Sequence, residues 1–315
     1  MPNIAVVTTG GTISSTSDVS GISTPTVDGL GTLGSLAVDA DIRVLDIMQV
    51  DSAAMSLRDL DMVRFAVGTA LEDPTIDGVV VLHGTDTMEE SAFLVDLMHS
   101  DPRPVVFTGA QRTFDHPLSD GPANLDFAIA AVLDSANTGT GVSIAFAGKL
   151  FRARGTIKTN TDADAAFGAR PVACAPMRST IETVSIADVR VDIVALYPGA
   201  DRTALDAVVD AGARGVVLEA LGAGNTNAHI TDAVRDIVAT GVTVALSTRV
   251  PHGPVITSYG GGGGGHDLVG AGALGSGMLR AGQTRILLAA LLATGDDPRL
   301  LFTSIVAETV AGQLD

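Results

Sequence analysis

The chain has 315 residues, enough for two domains, and 46% of them are hydrophobic, which can form a substantial core. Its formal net charge is −17, with no Trp and two Tyr. This balance argues against nucleic-acid and anionic-membrane partners, because phosphates require basic patches and single-stranded bases require aromatic platforms. Cys174 is the single cysteine, which excludes an intramolecular disulfide and fits a reducing compartment.

No apolar run approaches the length of a membrane span, and no positively charged segment with a small-residue cleavage site precedes the first apolar run. We therefore expect no signal peptide, no membrane association and a cytoplasmic location. The six histidines lack metal-ligand spacing, so we expect no metal. No GxGxxG motif joins a strand to a helix, and we expect no cofactor.

The first half of the chain alternates short apolar runs with segments that have the three-to-four spacing of amphipathic helices. The predicted strands are residues 4–8, 44–48, 78–82, 104–108 and 142–145. The predicted helices between them are residues 57–71, 89–98 and 123–133. Such alternation is typical of a parallel sheet with helices on both faces. We predict an α/β fold whose larger N-terminal domain is a doubly wound, mostly parallel sheet.

The second half predicts a smaller C-terminal α/β domain. Its strands are predicted at 215–218 and 242–246, and its helices at 204–211, 231–239 and 283–292. Residues 149–176 lack the alternation and are predicted as loops that include at most a short hairpin. The predicted boundaries are 1–185 for the catalytic domain, 186–202 for a linker and 203–315 for the C-terminal domain. The six glycines at 260–265 indicate either a flexible loop or a mobile element near the active site with left-handed backbone.

Two threonine-bearing motifs follow predicted strands. One is TTGGT at residues 8–12, and the other is HGTDT at residues 83–87. Open α/β sheets bind their ligands at the carboxyl ends of strands. Glycines beside a hydroxyl let a substrate approach the backbone and leave N–H groups free for a developing oxyanion. The two motifs therefore predict a catalytic site at this edge of the sheet.

A threonine hydroxyl is a poor nucleophile until a neighbouring base takes its proton. Lys158, in the segment GTIKTN at 155–160, is a candidate for that base. It is one of only two lysines in the chain, the other being Lys149. A lysine acts as a base only when its neutral form is accessible, which desolvation favours and a carboxylate such as Asp86 opposes. The sequence leaves this balance open.

At these three segments the chain resembles the bacterial-type L-asparaginases, which hydrolyse a side-chain amide to an acid and ammonia. The resemblance continues in order through MEES at 88–91, FTGAQR at 107–112, SDGPANL at 119–125 and GAGNTN at 222–227. It implies that Thr12 is the primary nucleophile and carries an acyl ester on its Oγ. It also implies a second group in which Lys158, held by Asp86, polarises Thr85 or a water that Thr85 positions.

The resemblance further implies a substrate pocket formed in part by a neighbouring subunit. The residues implied to bind substrate are Gly11, Ser52, Ala53, Gly84, Ala110 and Asn227. Ser52 and the backbone of Ala53 would hold the α-carboxylate, Asp86 the α-ammonium, and the Ala110 carbonyl the amide. Asn227 would reach the partner's substrate, so the expected assembly is a homo-oligomer, a tetramer of two intimate dimers.

Two features depart from the family pattern. Many members carry a tyrosine on a flexible lid about a dozen residues after the nucleophile, whereas Pro25 falls at that place here. The C-terminal glutamate that many members extend to the partner's substrate has no clear counterpart around 260–267. We predict that residues 14–34 form a lid that is mobile without substrate, and that KM is high because closure is weak.

The leading interpretation is hydrolysis of L-asparagine to L-aspartate and ammonia. A broader asparaginase–glutaminase is an alternative, because a pocket discriminates one methylene only modestly. A catalytically silent amino-acid-binding paralogue is another, motivated by the two departures. The amidase subunit of a tRNA-dependent amidotransferase shares these motifs but carries an additional N-terminal domain, for which we expect no room before residue 8.

Overall fold

In a computed structural model, the structure describes residues 1–17, 23–26, 40–169 and 178–310. The chain divides into two units, Met1–Ala169 and Arg170–Asp315. Most of the predicted lid at 14–34 lies outside the described residues, and so does Cys174. Among the described helices, none combines the length and the apolar character needed to span a membrane.

A six-stranded sheet organises the first unit. Its order is β4-β1-β5-β6-β7-β8, and every neighbouring pair is parallel except the antiparallel pair β7-β8. This confirms the predicted doubly wound, mostly parallel N-terminal sheet. The strands of the unit are β1 (Asn3–Thr8), β2 (Ser15–Ser17), β3 (Ser23–Pro25), β4 (Asp41–Asp46), β5 (Gly78–Leu82), β6 (Val105–Thr108), β7 (Val142–Phe146), β8 (Lys149–Arg152), β9 (Thr156–Lys158) and β10 (Phe167–Ala169). Its helices are α1 (Leu57–Glu72), α2 (Met88–Met98) and α3 (Gly121–Leu133).

Both faces of this sheet are buried, which explains why its strands read as continuous apolar runs. In β1, Ala5 and Val7 pack on the face covered by α1 and α2. Ile4 and Val6 pack on the opposite face, which α3 covers. Successive side chains of a strand point to opposite faces, so an unbroken run of apolar residues is needed to fill both. Each fully buried Val or Ile contributes roughly 1.5–3 kcal/mol to folding.

The start of α1 is determined locally. The Ser56 hydroxyl accepts the N–H of Asp59, and the Asp59 carboxylate accepts the N–H of Ser56. This capping box satisfies two N–H groups that the helix leaves unpaired. Ser56 is therefore the N-cap of α1, and Ser52 lies in the loop that follows β4.

A smaller parallel sheet, with the order β11-β12-β13-β14, organises the second unit. This confirms the predicted C-terminal α/β domain. Its strands are β11 (Val191–Ala195), β12 (Gly215–Ala220), β13 (Thr243–Thr248) and β14 (Leu274–Gly275). Its helices are α4 (Thr203–Asp210), α5 (Ala228–Ala239), α6 (Gly265–Gly270), α7 (Ala281–Thr294) and α8 (Pro298–Val310).

In three segments the structure adds to or shifts the predicted elements. The strand predicted at 44–48 lies at Asp41–Asp46, where it pairs in register with β1. Residues 149–169, predicted mainly as loops, contain β8, β9 and β10. Residues 186–202, predicted as a linker, contain the edge strand β11, whose buried side chains are only Val191 and Val194. Short or edge strands bury few side chains, so their apolar signal is weak. The domain boundaries themselves stay a prediction.

The glycine run at 260–265 forms a hydrogen-bonded loop that leads into α6. Gly261 and Gly262 have φ of +99° and +95°. These two residues therefore have the left-handed backbone that one of the two interpretations of the glycine run predicts. The Asp267 carboxylate accepts the N–H groups of Gly262 and Gly264 at 2.8 and 2.9 Å. The carboxylate therefore closes the loop, and the glycines allow its backbone conformation.

Candidate active site

The TTGGT and HGTDT loops meet backbone to backbone at the carboxyl edge of the sheet, because β1 and β5 are adjacent parallel strands. A Cβ placed on Gly11 would lie 2.5 Å from the Cα of Gly84, and the φ of Gly11 is +78°. Both facts require glycine at position 11. Thr12 and Thr85, the next residue in each motif, are therefore carried on adjoining loops.

The loop after β4 fixes the backbone of the HGTDT motif. Ser52 is 1% exposed, and its Oγ accepts the N–H of Asp86 at 3.2 Å. Its carbonyl accepts the Thr87 hydroxyl at 3.0 Å. A Cβ on Gly84 would lie 2.5 Å from Ser52 Oγ, so glycine is also needed there for close approach. Ser52 thus lies beside Asp86, and its hydroxyl keeps a proton to donate.

Lys158 joins this cluster from the short strand β9. Its Nζ donates to Thr85 Oγ1 at 2.8 Å and to Asp86 Oδ1 at 2.7 Å. The Thr85 side chain is buried, Lys158 is 19% exposed and Asp86 is 54% exposed. The structure therefore brings together three of the four predicted catalytic residues in one hydrogen-bonded group. A hydroxyl and an amine within hydrogen-bond reach form the geometry required of a nucleophile–base or water-activating pair.

Thr12, the fourth predicted catalytic residue, begins the 3-10 turn Thr12–Ser14 directly after Gly11. Its side chain is half-buried. Within the described part of the chain, the Thr12 hydroxyl has no hydrogen-bond partner. A hydroxyl in such a turn is available to a substrate.

Gln111 extends the Lys158 group, and sequence reasoning gave it no role beyond its place in FTGAQR. The Thr85 hydroxyl donates to Gln111 Oε1 at 3.4 Å, and Gln111 Nε2 donates to the carbonyl of Ala163 at 3.3 Å. Because Thr85 accepts from Lys158, its own proton points to Gln111. The signal that could have found Gln111 is its position just beyond a predicted strand end.

Ala110 lies on the loop that joins β6 to α3, and its side chain is buried. Asp120, at the start of α3, holds this loop. Its carboxylate accepts the N–H groups of Gln111 and Arg112 at 3.0 and 2.9 Å, and the Asn124 amide at 3.0 Å. The backbone position of Ala110 is therefore determined by a carboxylate that follows it by ten residues.

Two of the predicted substrate-binding residues have structural partners. The N–H of Ala53, which the sequence predicts to face substrate, donates to Asp51 Oδ1 at 3.1 Å. In the second unit, Asn227 caps α5, since its Oδ1 accepts the N–H of Ile230 at 3.2 Å and its Nδ2 donates to the Ala200 carbonyl at 2.8 Å. Both polar atoms of the Asn227 side chain are thus used within that unit.

His83 has a structural role in the HGTDT motif. Its ring is fully buried, and Nδ1 donates to the carbonyl of Gly84 at 2.7 Å. Burial lowers the pKa of His83 to about 4. The imidazole is therefore neutral near pH 7 and supports the loop instead of transferring protons.

Glu89, in the first turn of α2, is a second residue to which sequence reasoning gave no role. Its carboxylate accepts the backbone N–H of Lys158. Burial raises the pKa of Glu89 to about 7. A carboxyl group that titrates near neutral pH beside a candidate catalytic lysine is a feature that motif spacing cannot reveal.

Comparison with known proteins agrees with this geometry. The family model described as "Asparaginase, N-terminal" matches residues 3–187, and the one described as "Glutaminase/Asparaginase C-terminal domain" matches residues 190–301. The chain belongs to the asparaginase family. Membership of this family supports an amidohydrolase that acts on small molecules.

Individual relatives of this asparaginase-family chain fall into two kinds. "Probable L-asparaginase" from Deinococcus radiodurans is 36% identical over 247 residues, covering 72% of this chain and 75% of that protein. A subunit of the glutamyl-tRNA(Gln) amidotransferase from Halobacterium salinarum is 32% identical, covering 100% of this chain and 80% of that protein. The crystal structure of "Probable Cytoplasmic L-asparaginase" from Campylobacter jejuni has a TM-score of 0.84 at 27% identity, covering 98% of this chain and 99% of that one.

Proposed function

We propose that the protein hydrolyses L-asparagine to L-aspartate and ammonia. The observation that carries this proposal is the Lys158 Nζ, which donates to both Thr85 and Asp86 at 2.8 and 2.7 Å beside the TTGGT loop. Amide hydrolysis requires a nucleophile, a route for protons and stabilisation of an oxyanion. Thr12 and the Lys158 group supply the first two within an asparaginase-family fold.

In the proposed mechanism, Thr12 Oγ attacks the side-chain amide carbon and its proton is delivered to the leaving nitrogen. Ammonia departs, and an ester remains on Thr12. A water positioned by Thr85 then attacks the ester, which releases aspartate and restores the Thr12 hydroxyl. Lys158, held by Asp86, polarises Thr85 and that water in the second step.

Substrate recognition in this proposal uses the surroundings of the same loops. Asp86 is 54% exposed, so its free carboxylate oxygen can accept from the α-ammonium. The Ser52 hydroxyl can donate to the α-carboxylate. Gly11 contacts Gly84 and Gly84 contacts Ser52, which keeps the loops together, and both glycines stay predicted substrate contacts. The Ala110 carbonyl would accept from the amide nitrogen. Asn227 and the backbone of Ala53 stay predicted contacts, the former from a neighbouring subunit.

Ammonia release by the purified protein tests the proposal, with L-asparagine, L-glutamine and D-asparagine as substrates and Thr12→Ala as control. We expect L-asparagine to give the highest kcat/KM and Thr12→Ala to lose on the order of 10³-fold or more in rate. Comparable kcat/KM for L-glutamine would favour the broader asparaginase–glutaminase. Binding of L-asparagine without ammonia release would favour the silent paralogue, and full turnover by Thr12→Ala would refute the assignment of the nucleophile.

We also propose a cytoplasmic homotetramer built from two intimate dimers. Closed symmetric assemblies are the commonest kind of oligomer, which supports the proposal. The cytoplasmic location is supported by the name of the Campylobacter jejuni protein. Light scattering of the active protein tests the assembly, and an active monomer would refute it. Fractionation of the source cells against periplasmic and cytoplasmic marker enzymes tests the location.

A further inference from the structure

Two carboxylates on one face of helix α2 bind the segment that leads into strand β9 and ends at Lys158. Strands β9 and β10 form the hairpin that carries this lysine. Glu89 and Asp96 are seven residues apart, which is two helical turns. Asp96 Oδ2 lies 2.6 Å from Arg154 Nε in an ion pair whose side chains are 2% and 6% exposed. The Glu89 carboxylate accepts the backbone N–H of Lys158. Helix α2 therefore binds the chain at two places, at Arg154 shortly before Lys158 and at Lys158 itself.

The hairpin formed by β9 and β10 also has other contacts, since Phe167 packs edge-on against Phe146 and Arg112 pairs with Asp164. Strands β9 and β10 have three residues each and form a two-stranded sheet separate from the six-stranded one. An isolated pair of strands is marginally stable at best. The backbone position of Lys158, and hence the reach of its Nζ, depends on what packs against the hairpin. Helix α2 packs against β9.

The same helix also begins at the catalytic loop. Thr87 is the N-terminal cap of α2, so Thr85 and Asp86 immediately precede the helix and Glu89 lies in its first turn. The two residues that bind the Lys158 Nζ therefore lie in the turn that leads directly into the helix whose first turn carries Glu89, which binds the Lys158 N–H. The position of the Lys158 amine relative to Thr85 and Asp86 is therefore set by contacts to one short stretch of the chain.

We propose that Glu89 is a positioning residue, which sets the geometry between the Lys158 amine and the Thr85–Asp86 pair by holding the backbone N–H of Lys158. The inference deepens the proposed function, since it assigns the residue that places its lysine. An ionised carboxylate is the stronger hydrogen-bond acceptor. The ionised form of Glu89 therefore holds the hairpin, and protonation loosens it.

The charge of Glu89 changes close to neutral pH. Burial raises the pKa of Glu89 to about 7, the negative charge of Glu90 acts in the same direction, and Lys158 opposes both through its N–H and its charge. Protonation of Glu89 as pH falls through 7 should therefore lower kcat, with a smaller effect on KM because Glu89 binds the Lys158 backbone and is not among the proposed substrate contacts. Removing the Glu90 charge should move the midpoint to lower pH.

The catalytic test compares Glu89→Gln with Glu90→Gln and Glu72→Gln across pH 5.5–9. Glu72, exposed at the end of α1, controls for the charge change alone. We expect Glu89→Gln to lower kcat about tenfold at pH 8, with KM within about twofold. The increase of kcat between acid pH and pH 8 should also be absent in this variant. Glu90→Gln should keep the plateau rate with a lower midpoint, and Glu72→Gln should match the unchanged protein. A Glu89→Gln profile equal to that of the unchanged protein would overturn the proposal.

A second measurement does not depend on catalysis. Because Lys149 and Lys158 are the only lysines, ¹⁵N-lysine labelling yields two backbone amide signals, which Lys149→Arg assigns. We expect the Lys158 amide proton to shift with a midpoint near pH 7, the Lys149 signal to stay constant, and Glu89→Gln to abolish the titration. A Lys158 signal that does not titrate, or that titrates equally in Glu89→Gln, contradicts the role of Glu89. Absence of ammonia release by the unchanged protein would instead contradict the proposed function.

Discussion

Lys158 is held through both its backbone and its side chain. Its Nζ donates to Thr85 and Asp86, and its N–H donates to Glu89. An amine held at both ends loses little further freedom when it acts in the transition state. Its chemistry therefore depends on groups from the β5–α2 loop, α2 and β9 together, and a change at Lys158 should affect rate more than folding.

Replacement of Lys158 tests this dependence, and Lys149 offers a matched control. Lys149 is exposed at the start of β8. We expect Lys158→Met to lower kcat/KM for L-asparagine by on the order of 10³-fold, because the group then loses the amine that polarises Thr85 and the attacking water. Lys149→Met should keep normal activity. Steady-state kinetics and circular dichroism of both variants check the prediction, and an active Lys158→Met would rule out the proposed role of Lys158.

Gly11 is the second residue whose identity the structure explains. Gly11→Ala places a Cβ 2.5 Å from the Gly84 Cα at a φ of +78°. Gly148 provides a control, since its φ is +70° but no atom lies within 4 Å of the added Cβ. We expect Gly148→Ala to cost about 1 kcal/mol from backbone conformation alone, with activity retained. Gly11→Ala should cost at least twice that and abolish turnover, as urea unfolding and ammonia assays would measure.

At the scale of elements, the proposed chemistry depends on helix α2 and the β9–β10 hairpin. The Asp96–Arg154 ion pair is nearly inaccessible to solvent, and Asp96 Oδ1 also accepts the N–H of Val142 at 3.0 Å. A buried charge that loses its partner is strongly destabilising, whereas removal of both charges costs less. The pair therefore ties the hairpin both to α2 and to β7.

Single and double replacements of this ion pair test the coupling. We expect Asp96→Asn and Arg154→Met each to lower the free energy of unfolding by about 3–5 kcal/mol, because each removes the ion-pair partner of a buried charge. The double variant should be more stable than the less stable single variant. Urea unfolding of the four proteins gives the coupling energy. Additive losses would mean that the two side chains act independently.

At the scale of the whole molecule, each unit has its own sheet and its own buried core. The free energy of unfolding of the first unit includes the cost of burying ionisable groups such as Glu89. Its pKa is raised in the folded state, so protonated Glu89 adds stability that is fully present below the ordinary value of 4.5 and is lost as pH rises through about 7. Ionised Glu89 thus positions Lys158 at a cost in stability.

Glu89→Gln should therefore become more stable relative to the unchanged protein as pH rises. The interval from 4.5 to about 7, at about 1.4 kcal/mol per pH unit, corresponds to on the order of 3 kcal/mol between pH 4 and pH 8. Urea unfolding at several pH values, followed by a probe in the first unit, measures the difference, with Glu72→Gln as the control. A constant difference between Glu89→Gln and the unchanged protein would show that Glu89 has its ordinary pKa.

Much of the fold and part of the site follow from the sequence alone. Strands buried on both faces require unbroken apolar runs, so β1, β5, β6 and β7 are recognisable in the sequence, and the motifs after β1 and β5 fall where parallel strands end. The scarcity of lysine in the chain makes Lys158 recognisable as a candidate base. These inferences succeed because they depend on residues close together in the chain.

The tertiary structure alone decided which distant groups meet. Glu89 and Lys158 are 69 residues apart, Asp96 and Arg154 are 58 apart, and Thr85 and Gln111 are 26 apart. Periodicity and capping rules reach only about one helical turn, so they cannot pair such residues. Burial is also a property of the packed chain. It lowers the pKa of His83 to about 4 and raises the pKa of Glu89 to about 7. The sequence determined where the reactive groups stand along the strands, and packing determined their partners and their charge.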